Sequence, residues 1–193
     1  DASLSCQPLK GESAEDLQQF VYCWSCIKMA DMHGFPTFEE KVCSVLHTNF
    51  KALLKIFAHY TGIEGNAHSP FSLIGSRELS MERWMELIKA CNITNRTFAQ
   101  HRAVNAFNSA RSGSLVNLSG VANETGITLP EFLSALMRLA LWRANPLFAE
   151  SRSIAEIGLA KSEAQAEAIL VPLTDCFPPL LAENILPNAK RVG

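Results

Sequence analysis

Two stretches that hold no regular period each run into a helix-start signal, and together they impose one pattern twice: helix, long loop, capped helix. Residues 62–79 contain Gly62, Gly65, Asn66, Pro70 and Gly75, and residues 112–126 are rich in Ser, Gly and Asn, so both read as loops. Ahead of the first loop, Pro36-Thr37 followed by Glu40 gives a capping box. Val42, Val45, Leu46, Phe50, Leu53, Leu54 and Phe57 then recur at helical spacing to Tyr60. Behind that loop, Ser80 caps a short helix carrying Met81, Trp84, Leu87, Ile88 and Cys91. Thr97 is expected to cap the next helix, with Phe98, Val104 and Phe107 on one face and an end near Gly113. Behind the second loop, Thr128-Leu-Pro-Glu131 is a capping box with Pro in the first turn, opening an apolar helix that stops before Asn145-Pro146. No strand pattern occurs, so the predicted class is all-α.

The flanks extend this plan. Ser13-Ala-Glu-Asp16 reads as an N-cap with acidic residues in the first turn, and the helix it opens is expected to run to a stop at His33-Gly34. Residues 151–170, with Ile154, Ile157, Ala160, Ala164 and Ala168 between Glu and Lys, read as an Ala-rich amphipathic helix. From Val171 onward, Pro172, Pro178, Pro179 and Pro187 predict an extended strap without regular structure. The expected organisation is an N-terminal helical extension over 1–36, a helical domain over 37–145, and a C-terminal helix plus Pro-rich tail over 146–193.

Composition narrows the function classes. The chain has 193 residues, 48% of them hydrophobic and 19% charged, which suffices for a buried core. A net charge of −2 and a pI near 6.2, with no basic stripe interleaved with aromatics, argue against a nucleic-acid partner. The apolar run 133–142 is interrupted by Arg138 and falls far short of the ~20 residues of a membrane span. The start at Asp1 is read as the mark of a removed leader or of a fragment. The six cysteines (Cys6, Cys23, Cys26, Cys43, Cys91, Cys176) are too sparse for a disulfide lattice and read as mostly buried thiols. A Cys6–Cys176 pair stays open. Four sequons, at Asn92, Asn95, Asn117 and Asn123, would matter only in a secretory compartment.

Phe50-x-x-Leu-Leu-x-x-Phe57 resembles the entering helix of an EF-hand, and Leu79-Ser-Met-Glu-Arg-Trp84 the junction into its exiting helix. Val104-Asn-Ala-Phe107 and Ile127-Thr-Leu-Pro-Glu-Phe132, followed by Leu133 and Leu136, resemble a second such unit. The wording from Trp84 to Cys91, Phe107, and 127–140 is similar to the degenerate EF-hand domains of tubulin polymerisation-promoting proteins and related protist flagellar proteins. The resemblance implies a pair of EF-hand-like units with an apolar groove between their helices. It would be lined by Trp84, Leu87, Ile88, Phe107, Phe132, Leu136, Leu139 and Trp142. It also implies a non-catalytic structural or adaptor protein that binds other proteins within a larger assembly in the cytoplasm, at the cytoskeleton, microtubules or cilium. The alternative is an accessory subunit of a large organellar membrane or energy-converting complex, with the Pro-rich tail and long loops as docking straps.

The ligand chemistry of the loops predicts no calcium binding. An EF-hand loop of about 12 residues places oxygen ligands at alternate positions and a bidentate Glu at its end. Aligned on Phe107, the second loop offers Asn108, Ala110 and Ser112, with Gly113 in the turn and no carboxylate. Glu131 takes the closing position only across roughly a dozen extra residues. In the first loop Ala58 and Tyr60 stand at ligand positions and Arg83 replaces the closing Glu. Cys23-Trp-Ser-Cys26 has redox spacing, yet both thiols fall inside a predicted helix and read as buried packing. His33, His47, His59, His68 and His101 are scattered and read as surface or boundary residues. No catalytic motif appears, so neither enzyme nor cofactor is predicted. With calcium unable to open the groove, residues after Pro146 are expected to fold back onto Trp84, Leu87, Phe132, Leu136 and Leu139 as the chain's own occupant.

Overall fold

The computed structural model describes residues 7–32, 35, 39–63, 74, 76–111, 126–146 and 169–193. Within them, all regular structure is helical: α1 (Ala14–Cys26), α2 (Glu39–Tyr60), α3 (Met81–Ala90), α4 (Gln100–Arg111), α5 (Leu129–Ala144) and α6 (Leu173–Pro179). A π-helical stretch (Leu180–Ile185) and a last turn (Leu186–Asn188) continue α6. The capping box at Thr37, the loop interiors and most of the Ala-rich segment lie outside the described residues.

Helix starts follow their caps. Ser13 Oγ accepts from Asp16 N–H at 3.1 Å, and the Asp16 carboxylate accepts from Ser13 N–H at 3.4 Å. Ser80 Oγ accepts from Arg83 N–H, and the Glu131 carboxylate accepts from both the N–H and the hydroxyl of Thr128. Thr97 is not the cap expected for α4. The helix begins only at Gln100, and Asn95 Oδ1 takes the N–H groups of Thr97 and Phe98 in the turn before it. Helix α1 also ends earlier than the His33-Gly34 stop, at Cys26, because Ile27 turns extended and the residues after it are drawn onto α5.

Helix α5 is central, with α4, α6, α1 and α2 all packed against it. Every residue from Phe132 to Leu141 is buried, Ser134 and Arg138 included. At the heart of the core, α2, α3, α4 and α5 meet through their aromatic rings. Phe57 of α2 meets Phe132 of α5 at 5.4 Å, and Phe107 of α4 meets Trp84 of α3 at 6.2 Å. Helix α2 thus touches α5, and α4 touches α3. Trp84 and Phe132 meet edge to face at 6.2 Å, and the indole N–H of Trp84 donates to the Ala103 carbonyl at 2.9 Å.

The loop exits are joined directly. Leu79 N–H donates to the Ile127 carbonyl at 2.8 Å and Ile127 N–H returns to the Leu79 carbonyl at 2.9 Å, an isolated antiparallel bridge immediately ahead of Ser80 and Thr128. Glu78 accepts from Gly126 N–H beside it.

The tail departs from the extended strap expected of it. Residues 173–188 are helical, with Pro172 at the N-cap and Pro178 and Pro179 inside α6. Two interior prolines cost about 3 kcal/mol each. Burying Phe177, Leu180, Leu181 and Ile185 returns about 1.5–3 kcal/mol per side chain, so packing outweighs the local preference. The widened π turn follows directly after the prolines, whose missing donors already disrupt the regular ladder.

Gly126 tests the bridge. A Cβ there would stand 2.4 Å from the Leu79 carbonyl oxygen, a backbone atom that cannot rotate away. Gly126→Ala is therefore expected to lower stability by about 1–3 kcal/mol in urea unfolding. Gly62→Ala, where nothing lies within 4 Å but φ is +76°, should cost about 1–2 kcal/mol from backbone strain alone.

Candidate functional site

The eight residues expected to line a groove are brought together, but not as an open surface. Trp84, Leu87, Ile88, Phe107, Phe132, Leu136 and Leu139 are all within 1% of complete burial, and Trp142 alone is half-buried. They share one cluster with Phe20, Cys23 and Met29 from the N-terminal part and with Leu173, Phe177, Leu180, Leu181 and Ile185 from the tail. The N-terminal helix, the two helix-loop-helix units and the tail thus contribute to a common core.

Polar contacts pin the tail in place. Asn145, 4% exposed, donates to the Leu141 carbonyl and exchanges two hydrogen bonds with the Val171 backbone at 2.9 and 2.7 Å. The chain that leaves at Pro146 therefore returns to the same point. Further on, Arg143 donates to the Ile93 carbonyl and to Asn184 Oδ1, and Asn184 Nδ2 donates to the Cys91 carbonyl. Lys190 N–H reaches the Tyr60 hydroxyl. A shallow cleft of about 290 Å³ remains along this seam, with Arg143, Asp175 and Glu183 among its walls.

Of the positions where an EF-hand loop would chelate, those in the loop interiors lie outside the described residues, and Ala58, Tyr60, Arg83 and Glu131 at the loop ends are buried or paired with other side chains. Ala58 and Tyr60 are buried in the last turn of α2. Arg83 pairs with Glu86 at 2.7 Å on the surface of α3, and Glu131 is turned back onto Thr128. Among the described residues, no three His, Cys, Asp or Glu side chains converge on a point that could hold a metal ion.

Three polar features escaped the sequence reading. His47, expected at the surface or at a boundary, is 6% exposed, with its ring stacked on Phe20 at 4.4 Å and its Nε2 2.9 Å from both carboxylate oxygens of Glu12. The partners lie 35 residues apart, so no local pattern announces them. Arg138 sits in the middle of α5. Its two Nη atoms grip Asp31 at 2.8 and 2.7 Å, Nη2 also donates to the Lys28 carbonyl, and Nε donates to Ser134. One break in an apolar run was the only trace of that grip. The third is the cysteine pair: Cys23 is buried as expected, but Cys26 is exposed. Burial pushes the thiols of Cys23, Cys91 and Cys176 up to about 12, which leaves them protonated and poor nucleophiles. Cys176, expected outside the helical part, lies within α6.

Of the sequons, Asn92 and Asn95 lie exposed between α3 and α4, and those at Asn117 and Asn123 fall outside the described residues. Compared with protein-family models, curated proteins and solved structures, the chain matches none.

The Arg138 grip carries a pH signature. Hydrogen bonding to Arg138 holds the Asp31 carboxyl below the ordinary carboxylate range despite partial burial. The folded state thus keeps this group ionised where the unfolded chain begins to protonate, near pH 4. Its contribution is fully present above that pH and is lost as pH falls through the lower folded value. Asp31→Asn is expected to be less stable at neutral pH, with a shallower loss of stability below pH 4 than the parent chain. Parallel slopes in acid urea titrations would refute the assignment.

Proposed function

We propose that this chain is a non-catalytic adaptor built on two EF-hand-like helix-loop-helix units, in which the groove that calcium would open has become permanent packing. One observation carries the reading: the two junctions that bear the resemblance, at Leu79 and Ile127, are hydrogen-bonded to each other. Each is followed by a cap residue and by an aromatic four positions beyond the cap, Trp84 and Phe132, and these two rings touch. The reciprocal contacts Phe57–Phe132 and Phe107–Trp84 support two equivalent units facing one another.

A non-catalytic role is supported by the chemistry at hand. The buried thiols are held protonated, and His47 is stacked against an aromatic ring and engaged by Glu12. The cytoskeletal or ciliary setting rests on the family resemblance, which is a fold-level analogy. The accessory-subunit alternative drew on the tail as a docking strap. With Phe177, Leu181 and Ile185 buried, that support is withdrawn.

Two measurements test the proposal together. Melting in millimolar calcium and in chelator should give the same midpoint, because an ion stabilises only where it binds the native state more tightly than the unfolded one. Co-sedimentation with polymerised tubulin should bring the chain into the pellet in a salt-sensitive manner. A calcium-dependent rise in melting temperature would contradict the permanent groove, and a chain left wholly in the supernatant would contradict the microtubule setting.

A further inference from the structure

We propose that Cys23 and Cys26 form a thiol pair that a low-molecular-weight disulfide converts to an intramolecular disulfide, opening the last turn of α1 and slackening the hold of Arg138 on the segment beyond it. The inference goes beyond the adaptor reading and does not depend on it. It begins with an asymmetry. Cys26 is the last residue of α1 and is exposed, whereas Cys23, one turn earlier, is 1% exposed and packed in the core. An incoming disulfide can therefore reach one thiol of the pair and not the other.

Geometry permits closure at modest cost. Side chains three apart on a helix have Cβ atoms about 5–6 Å apart, and a disulfide draws them to about 3.8 Å. The shortfall of roughly 2 Å falls on a terminal turn. Beyond Cys26 the chain is already extended at Ile27, whose N–H bonds back to the Trp24 carbonyl at 3.1 Å. The chemistry balances in two exchanges. The Cys26 thiolate attacks one sulfur of the small disulfide, forming a mixed disulfide and expelling one thiolate. Cys23 then gives its proton to solvent and attacks Cys26 Sγ, expelling the second thiolate. Two protein thiols are oxidised and one small disulfide is reduced to two thiols. Because burial keeps Cys23 protonated, with a value near 12, the second exchange is the slow one.

The consequence is transmitted through the neighbours of this turn. Cys23 must leave the cluster it shares with Phe20, and Trp24, between the two thiols, must shift against Phe20 and Phe35, its ring neighbours at 6.5 and 6.4 Å. Immediately after this turn, Lys28 and Asp31 are held by Arg138, and Met29 sulfur accepts from the Ser134 hydroxyl at 3.2 Å. The device thus lies at the point where the N-terminal segment fastens to the central helix.

The full chain treated with oxidised glutathione, alkylated and mapped by mass spectrometry tests this. The expected result is a Cys23–Cys26 disulfide without retained glutathione, together with amide exchange over residues 24–31 about tenfold faster or more, both reversed by a dithiol. In Cys23→Ser, glutathione should remain on Cys26. In a Cys23→Ala variant, which avoids burying a hydroxyl, it should remain there as well. Stable glutathione on Cys26 of the parent chain, a bridge from Cys26 to any other cysteine, or a closed disulfide with unchanged exchange over 24–31 would each overturn the proposal.

Discussion

Helix α5 has no solvated flank between Phe132 and Leu141, and a helix buried on every side has to be surrounded. Most of the architecture follows from that requirement. Helix α4 covers one face, α1 and α2 contribute others, and α6 closes the last. The one charge buried within it, Arg138, is tolerated because Asp31, Ser134 and the Lys28 carbonyl meet its donors. The tail is therefore part of the fold in the same sense as α4, although it lies far along the chain from the helices it covers.

The second organising feature is the bridge between Leu79 and Ile127. Two backbone hydrogen bonds set the starts of α3 and α5 side by side, and Gly126 lets the backbones approach. With the starts fixed, Trp84 and Phe132 are brought edge to face, and the entering helices reach across to them through Phe107 and Phe57. Among the described residues near the starts of these two helices, Arg83 is paired with Glu86 and Glu131 with Thr128.

What was legible in the sequence was local. Ser13, Ser80 and the Thr128–Glu131 pair marked helix starts because a cap is a contact between residues a few positions apart. The all-helical class followed from apolar spacing. What was not legible depended on partners distant in the chain. His47 and Glu12, Arg138 and Asp31, and Asn145 and Val171 are each joined across long separations. The tail was misread because its prolines speak for extended chain at short range, while the burial that overrides them is visible only once α5 is seen to need a cover. Trp84, Leu87, Phe132 and Leu136 were recognisable as one apolar surface, with residues after Pro146 as its expected cover, but the helical form of residues 173–188 was not legible.

The central claim is that the tail is an integral wall of the core. Native-state hydrogen exchange tests it most directly, because amides opened only by global unfolding share one protection free energy. Amides of Phe177 and of residues 180–185 should exchange with the same free energy of opening as those of residues 135–141 in α5, and with the same denaturant dependence. Exchange of the tail amides at a markedly lower free energy, while α5 stays protected, would show a detachable arm and contradict the account.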